Sequence, residues 1–358
     1  MSQVKIFVTY YKNKTDAPII KSDVYQPIMG GCAGLSEPID DTFVRDDTND
    51  NVSNLNSRYG ELTIHYWLLK NYFPKAEEEY LGICHYRRFL EFCGEVELNL
   101  GKETEFSPLH FTYYKYFIDH ILNQYNESAI INAIKDYDVV CTAKWFFNNK
   151  SNRTIFDYYH RSVEMDFALK ALQRVGPGYM PYAEEFFRDN KGYYCMCVVM
   201  KKEMLKDYFE FEFKILDEMA KDDSMGRWEE YGSMPGYDEY HDIRMPAFIM
   251  ERLYNIWLMY MVDKKKIKIL ELPACKLINP NDVSPAQRVQ FIKRLSETEE
   301  NIDSYYYDRV SALHPRLNRI IKLLVNKNRY NKLLGDPKSF FFDSRSYLIR
   351  FIGIFYKY

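Results

Sequence analysis

The sequence predicts an α/β fold, with a mostly parallel sheet flanked by helices. Two observations predict it. Short β-rich apolar runs alternate with segments of helical spacing along most of the chain. The composition, 47% apolar and 28% charged, is that of a globular protein, and 358 residues can fill one large domain or two smaller ones.

Residues 5–10 alternate and are β-rich, which places the first strand there; Lys12-Asn13-Lys14 breaks it. Residues 25–60 read as polar and turn-rich. A helix is expected over 57–71. Ser57 can cap it, Glu61 suits its first turns, and Pro74 stops it. Tyr59, Leu62, Tyr66 and Leu69 form its apolar stripe. Residues 79–85 make a second strand and 92–110 a loop. A helix over 123–135 leads to a strand over 137–142, then to helices over 154–174 and 180–189. Residues 193–201 read as a strand, which puts Cys195 and Cys197 on one face. A helix covers 203–220. Residues 221–243 are polar and carry Gly226, Gly232, Pro235 and Gly236, the composition of a mobile loop. Pro246 opens a helix reaching about 262, and 266–272 is a late strand.

The most informative stretch is His85-Tyr86-Arg87-Arg88, directly after the apolar run Tyr80-Leu81-Gly82-Ile83-Cys84. It places three cationic or near-cationic groups at the carboxyl edge of a sheet, where open α/β sheets bind ligands. Paired arginines there suit an anion with several oxygens, such as a diphosphate. The plainer alternative is one Arg paired with a core-edge carboxylate and the other solvated.

Several classes are excluded. Seven cysteines form no C-x-x-C pair, and no His is spaced to complete a zinc site, a pattern of a reducing compartment. The N-terminus runs straight into a strand, and no run of 18 apolar residues exists, so a cytoplasmic location is expected. Walker A and G-x-S-x-G motifs are absent. Gly30-Gly31-Cys32-Ala33-Gly34 lacks dinucleotide-binding spacing, and nothing points to nucleic acid. Aromatic residues make up 17% of the chain, led by 32 Tyr, which suits sugar or base recognition as well as core filling. Net charge is −3, but residues 311–358 hold ten Lys and Arg against two Asp, so that tail is basic and the rest acidic.

Two further groups could carry chemistry. Asp47, Asp50, Asn51, Asn54 and Asn56 could hold sugar hydroxyls, a nucleoside or a hard cation, or could simply form turns. On the helix after Pro246, Ile249, Leu253, Ile256, Trp257 and Tyr260 can face inward, while Glu251 and Asn255 share another face. Glu251 could serve as a general base toward a hydroxyl, or could be a surface or internal partner of Arg252.

Taken in order, these blocks resemble a bacterial family among capsular and exopolysaccharide glycosyltransferases, long described only as a domain of unknown function. The matching pieces are Asp47-Thr48-Asn49-Asp50-Asn51-Val52-Ser53, Asn56 and Tyr59-Gly60-Glu61-Leu62-Thr63, continued by Tyr66-Trp67 and Lys70-Asn71. Tyr80 through Phe89 follows, and Arg244 with Ala247 through Leu253 closes the match, which spans about residues 4–275. Asn49 and Ala247 stand where the family usually has Gly, Gly60 where it often has Cys, and Leu69 where it has an aromatic. Residues 193–200 match only loosely.

The resemblance implies a GT-A-like fold over 1–275, with a nucleotide-sugar half over about 1–145 and an acceptor half over about 146–275. Residues 276–358 would be a basic, mainly helical extension. The implied activity is hexosyl transfer from a UDP-sugar, galactofuranose or galactose, to a glycan hydroxyl, with inversion. The implied pathway is capsule, O-antigen or exopolysaccharide synthesis. Glu251 is the implied base, with Asp242 in reserve. Thr9, Tyr10, Tyr11, Asp47, Asn51, Tyr59, His85, Arg87 and Arg88 would hold the donor, and Arg244 and Arg252 the acceptor. GT-A enzymes usually hold a divalent Mn or Mg through D-x-D, but no such sequence ends the strand at 79–85. Arg87 or Arg88, alone or with His85, is expected to replace that metal partly or wholly. Leu313, Leu317, Ile320, Ile321 and Leu324 fall at helical spacing among cations. The tail could therefore lie on an anionic membrane face, near a lipid-linked acceptor. A non-catalytic sugar-nucleotide or glycan-binding module is the alternative, as is a transferase of other phosphorylated groups.

Overall fold

In the computed structural model, which describes residues 3–11, 17–36, 38–92, 109–147, 149–221 and 244–278, one large sheet organises the chain. The chain divides into two compact units, one of 1–110 and 114–276, the other of 111–113 and 277–358. The first unit holds the hydrophobic core and the helices packed on it.

The strands are β1 (Val4–Tyr11), β2 (Tyr25–Gly30), β3 (Val44–Arg45), β4 (Tyr80–His85), β5 (Arg88–Leu90), β6 (Leu109–Tyr113), β7 (Val139–Thr142), β8 (Trp145–Phe146), β9 (Lys191–Gly192), β10 (Val198–Lys201), β11 (Ile269–Leu272) and β12 (Ala274–Ile278). The helices are α1 (Asn56–Tyr59), α2 (Leu62–Trp67), α3 (Tyr114–Tyr116), α4 (Glu127–Ile134), α5 (Asn152–Tyr159), α6 (Ser162–Val175), α7 (Met180–Arg188), α8 (Lys202–Met219) and α9 (Met245–Lys265).

The main sheet runs β11-β7-β10-β4-β1-β2-β3. β1 pairs in parallel with both β2 and β4, β2 with β3, and β7 with β11; β10 is antiparallel to both of its neighbours. The expected mostly parallel α/β architecture is therefore present. β4 and β10 approach closely at Gly82, where a Cβ would lie 2.7 Å from the Val198 carbonyl oxygen. No larger residue fits there without moving a strand.

One core joins Phe7, Leu81, Ile83 and Met200 of the sheet to Phe209, Ile215, Leu253 and Trp257 of α8 and α9. In α8, Leu205, Tyr208, Phe209, Glu212, Ile215, Leu216 and Met219 are buried at helical spacing, an apolar stripe with one carboxylate in it. α9 is buried on almost every side; Pro246 lies in its first turn, and Lys266 ends it in a left-handed conformation.

Several local expectations are corrected. The single helix over 57–71 is divided at Gly60, whose φ of +55° excludes easy replacement, and it ends in a π-helical turn, Leu68–Tyr72. The helix over 154–174 is two helices, α5 and α6, because His160 and Arg161 are extended. Residues 25–60 contain β2 and β3, hidden by Pro27 and the surrounding turn residues. Residues 193–197 are not strand. Cys195 has φ +61°, so Cys195 and Cys197 do not share a strand face. The loop expected at 221–243 lies almost wholly outside the described residues, as do most of 92–110 and the whole tail at 311–358.

Candidate active site

After β1 the chain builds β2 and β3 on one side, then returns to place β4 on the other. The gap between the carboxyl ends of β1 and β4 is thus a topological switch point, where the loops part and leave a crevice. Thr9 and His85 are register partners there, and the Tyr86 amide donates to the Thr9 carbonyl at 3.0 Å. Strand alternation sends Thr9 and Tyr11 to one face and Tyr10 to the other. β4 ends at His85, Tyr86 and Arg87 make the turn, and β5 returns so that Arg88 pairs with His85. The turn therefore sets three nitrogen-bearing side chains at one edge.

These groups carry unmet hydrogen-bonding capacity. The His85 Nδ1, Arg87 Nε, Arg88 Nε and Thr9 Oγ1 atoms are buried and have no hydrogen-bond partner among the described residues. Such groups cost about 1–3 kcal/mol each while unpaired, and more when charged, so their clustering marks a place made for a ligand. Burial holds His85 well below its ordinary range, helped by Arg88, Arg87 and Arg244, so its ring is neutral. Burial also opposes the charge on Arg88, but Cys195, Glu251, Glu61 and Tyr11 outweigh it. Lys276 of β12 is pushed down by burial and by the two arginines, which places a further amine beside them.

Two carboxylates face this edge. Glu61, between α1 and α2, accepts a 3.3 Å hydrogen bond from the Tyr11 hydroxyl at Oε2. Tyr11 itself lies 5.4 Å from the His85 ring, and the Arg244 guanidinium lies 5.4 Å over the Tyr11 ring. Burial raises the Glu61 carboxyl, with Glu251 adding to the rise while His65 and Arg88 oppose it. Glu251 on α9 accepts from the Cys195 amide at 2.7 Å through Oε1 and from Arg252 Nη1 at 2.5 Å through Oε2. Asn255, one turn on, clasps Tyr193 with both ends of its amide, at 2.6 and 2.9 Å. α9 therefore straps residues 193–195 to the site. Burial pushes the Cys195 thiol up to about 11, which leaves it neutral.

The predicted site residues separate into groups. Thr9, Tyr11, His85, Arg87, Arg88, Arg244 and Glu251 come together. Tyr10 does not: it is 2% exposed, and its hydroxyl is tied to the Pro18 carbonyl and the Ile20 amide on the opposite face. Arg252 is 5% exposed, lies over the Phe156 and Tyr194 rings, and supports Glu251 from beneath. Asp47 pairs with Arg45 at 2.6 Å. Asn51 is turned inward on its own loop, bonded to the Asp47 and Asn49 carbonyls and the Ser53 amide. That loop is docked on α2 and the following π turn, through Trp67 to Thr48, Tyr66 to Asp50, and Asn71 to Asp50. Tyr59 is half-buried, with Asp217 of α8 nearby. Asp242 lies outside the described residues.

Three participants were not foreseen: Glu61, Lys276, and the pair of His65 with Glu212. His65 Nδ1 meets Glu212 Oε2 at 2.8 Å, and both side chains are at most 1% exposed. The one sequence signal is the spacing of Glu61 and His65, four apart on the expected helix and off its apolar stripe of Tyr59, Leu62, Tyr66 and Leu69.

A mostly parallel central sheet flanked by helices defines this protein as an α/β protein of GT-A-like fold. Residues 5–264 match the family described as "Domain of unknown function (DUF4422)", and the chain belongs to that family. It is also similar to the apo structure of WbbM, a bifunctional glycosyltransferase, with a TM-score of 0.63 and 26% identity. That likeness covers 77% of this chain and 46% of WbbM, so this chain spans less than half of WbbM's length. No curated protein matches it.

GT-A-like folds imply a divalent cation, and the described residues do not suit one. No group of three His, Cys, Asp or Glu side chains among them is arranged to hold a metal ion, and the orphaned atoms at the edge include two guanidinium donors. Both Glu251 oxygens are already engaged by the protein. This donor set fits a polyanion.

Proposed function

We propose that the chain is a glycosyltransferase that moves a hexosyl group from a UDP-sugar, galactofuranose or galactose, to a hydroxyl of a glycan acceptor. The observation that carries this reading is the cluster of orphaned donors on His85, Arg87 and Arg88 at the switch point, opposite two carboxylates. The likeness to WbbM supports it.

In this reading the diphosphate sits on Arg87 and Arg88. As the bond from the anomeric carbon to the leaving oxygen breaks, the electron pair goes to the diphosphate, and the guanidinium groups stabilise the growing charge. One well-placed donor in such a site contributes about 3–4 kcal/mol. Neutral His85 offers a hydrogen bond without further crowding of positive charge. The acceptor hydroxyl attacks the opposite face of the sugar, giving inversion, and a carboxylate takes its proton. The rim supplies Glu251 and Glu61 for that step. β1, β4 and β5 supply the donor side, and α9 with its strap the acceptor side, where Arg244 serves. A lipid-linked acceptor in capsule, O-antigen or exopolysaccharide synthesis fits a tail that holds the enzyme on an anionic cytoplasmic membrane face. No helix among the described residues is long and apolar enough to cross a membrane.

A panel of nucleotide sugars tests the reading by melting shift and by UDP release. A UDP-sugar that raises the melting temperature and is turned over supports it; silence across the panel refutes it. The non-catalytic module, which the double engagement of Glu251 favours, would show the shift without turnover. Sedimentation of the full chain with anionic but not neutral vesicles tests the membrane contact. Activity that disappears with a chelator and returns with Mn²⁺ or Mg²⁺ would overturn the metal-free leaving-group site.

A further inference from the structure

We infer that Glu61, and not Glu251, is the carboxylate that takes the acceptor proton, with the buried His65–Glu212 pair as its positioning and charge partner. This inference rests on the transferase reading above. The two rim carboxylates differ in what already holds them. Glu251 is engaged at both oxygens, by the Cys195 amide and by a guanidinium that is itself buried. Those bonds fix Cys195 in its left-handed conformation, so Glu251 has a structural duty: it anchors the strap.

Glu61 is held more loosely. Its carboxylate's one hydrogen bond among the described residues is the 3.3 Å contact from the Tyr11 hydroxyl, long enough to yield to an incoming hydroxyl. Through Tyr11 it touches the face that holds His85 and Arg244. The groups around it are Tyr11 from β1, Arg88 from β5, Glu212 from α8, Glu251 from α9, Arg244 before α9, and His65 from its own helix. A base must be ionised yet willing to accept a proton, and burial supplies that willingness.

The pair behind it has no evident packing reason. A buried ion pair is weak support for stability, because desolvation offsets the attraction. Yet His65 lies one helical turn from Glu61, its ring stacked on Phe209 at 4.4 Å and pinned by Glu212. His65 Nε2 and Glu212 Oε1 are buried with no well-formed hydrogen bond among the described residues, although the Tyr208 hydroxyl lies beside Glu212. Although burial opposes its charge, Glu212 and Glu61 raise His65 above its ordinary range, so its protonated form is favoured beside the Glu61 anion and steadies it. In the reaction the hydroxyl proton passes to a Glu61 oxygen as the hydroxyl oxygen bonds to the anomeric carbon. The diphosphate leaves with the electron pair, and Glu61 later returns the proton to solvent.

The test uses the full chain, the UDP-sugar it turns over, and UDP alone as a binding probe. Glu61→Gln should lower transfer by about 10²–10⁴-fold, the usual worth of a positioned base, while UDP affinity stays within about threefold. His65→Gln should move the acid limb of the pH–rate profile to higher pH, because the anion loses its nearest cation. The His65→Gln/Glu212→Gln double variant should move it the same way, since His65 outweighs Glu212 at Glu61. It also covers the case in which the single variant folds poorly. A purely structural role would lower activity without moving the limb. Wild-type protein that turns over no sugar nucleotide overturns the transferase reading and the inference with it. Wild-type protein that transfers, beside a Glu61→Gln protein keeping more than about a tenth of the rate, overturns the inference alone.

Discussion

Asp46 holds together the segment that presents Glu61, and its removal makes a sharp prediction. The side chain is fully buried and accepts four hydrogen bonds. Oδ2 takes the Gly31 amide at 2.8 Å and Thr63 Oγ1 at 2.7 Å; Oδ1 takes the Cys32 amide at 3.0 Å and Ser53 Oγ at 2.5 Å. Asp46→Ala strands two backbone N–H groups, of half-buried Gly31 and buried Cys32, at about 1–3 kcal/mol each. The hydroxyls suffer less, because Thr63 also reaches the Gly60 carbonyl at 3.2 Å. The expected loss is about 3–5 kcal/mol, a large share of the about 5–15 kcal/mol that holds a typical domain. Asp46→Asn keeps one oxygen and strands one amide, so it should lose roughly half as much. Urea unfolding of the three proteins, followed by tryptophan fluorescence and by circular dichroism, measures both differences. A loss below about 1 kcal/mol for Asp46→Ala, or equal losses for the two variants, would refute the argument.

Three other outcomes are expected. Arg88→Met removes a guanidinium whose charge-assisted bonds are worth about 1.5–3 kcal/mol each; with two such bonds to a diphosphate, UDP affinity measured by calorimetry should fall about 10²–10⁴-fold. A change within threefold would place the diphosphate elsewhere. His65 has a folded-state pKa above its ordinary 6.5, so its pairing stabilises fully below that pH and fades as pH rises through the folded value. Wild-type melting temperature should therefore decline as pH rises above 6.5, with a shallower decline in the His65→Gln/Glu212→Gln protein; parallel curves would contradict it. Glu61 is raised by burial, so its ionised form costs stability above the folded pKa. Glu61→Gln should melt above wild type at pH 8 and converge with it as pH falls; a lower melting temperature at pH 8 would be inconsistent with a strained carboxylate.

The sequence made some of this legible. β1 and β4 are short apolar runs whose composition alone marks them as strands, and the three cationic or near-cationic groups directly after β4 suit an anion. β2 was hidden because Pro27 and its polar flanks look like a turn; only pairing with β1 makes it a strand. Residues 193–197 failed in the opposite direction. Tyr, Cys and Val favour a strand, but Asn255 and Glu251, about sixty residues later, bend the segment away. In sequence Glu61 is a helix-start residue, because its surroundings come from Tyr11, fifty residues earlier, and from α8. Tyr10 was placed in the site with Thr9 and Tyr11, although alternation alone separates it from them.

The central position of β10 has a consequence for how the protein is made. β10 lies between β4 and β7, so two strands synthesised more than fifty residues earlier wait for it with facing edges bare. A nascent chain shorter than about 200 residues exposes those edges to other chains, the arrangement most prone to aggregate during synthesis. The close approach at Gly82 then lets β10 slot into the gap, and closure of the sheet centre is a late, long-range event. Fragments ending before residue 198 are thus poor starting material for expression, whatever chemistry their half of the crevice contains.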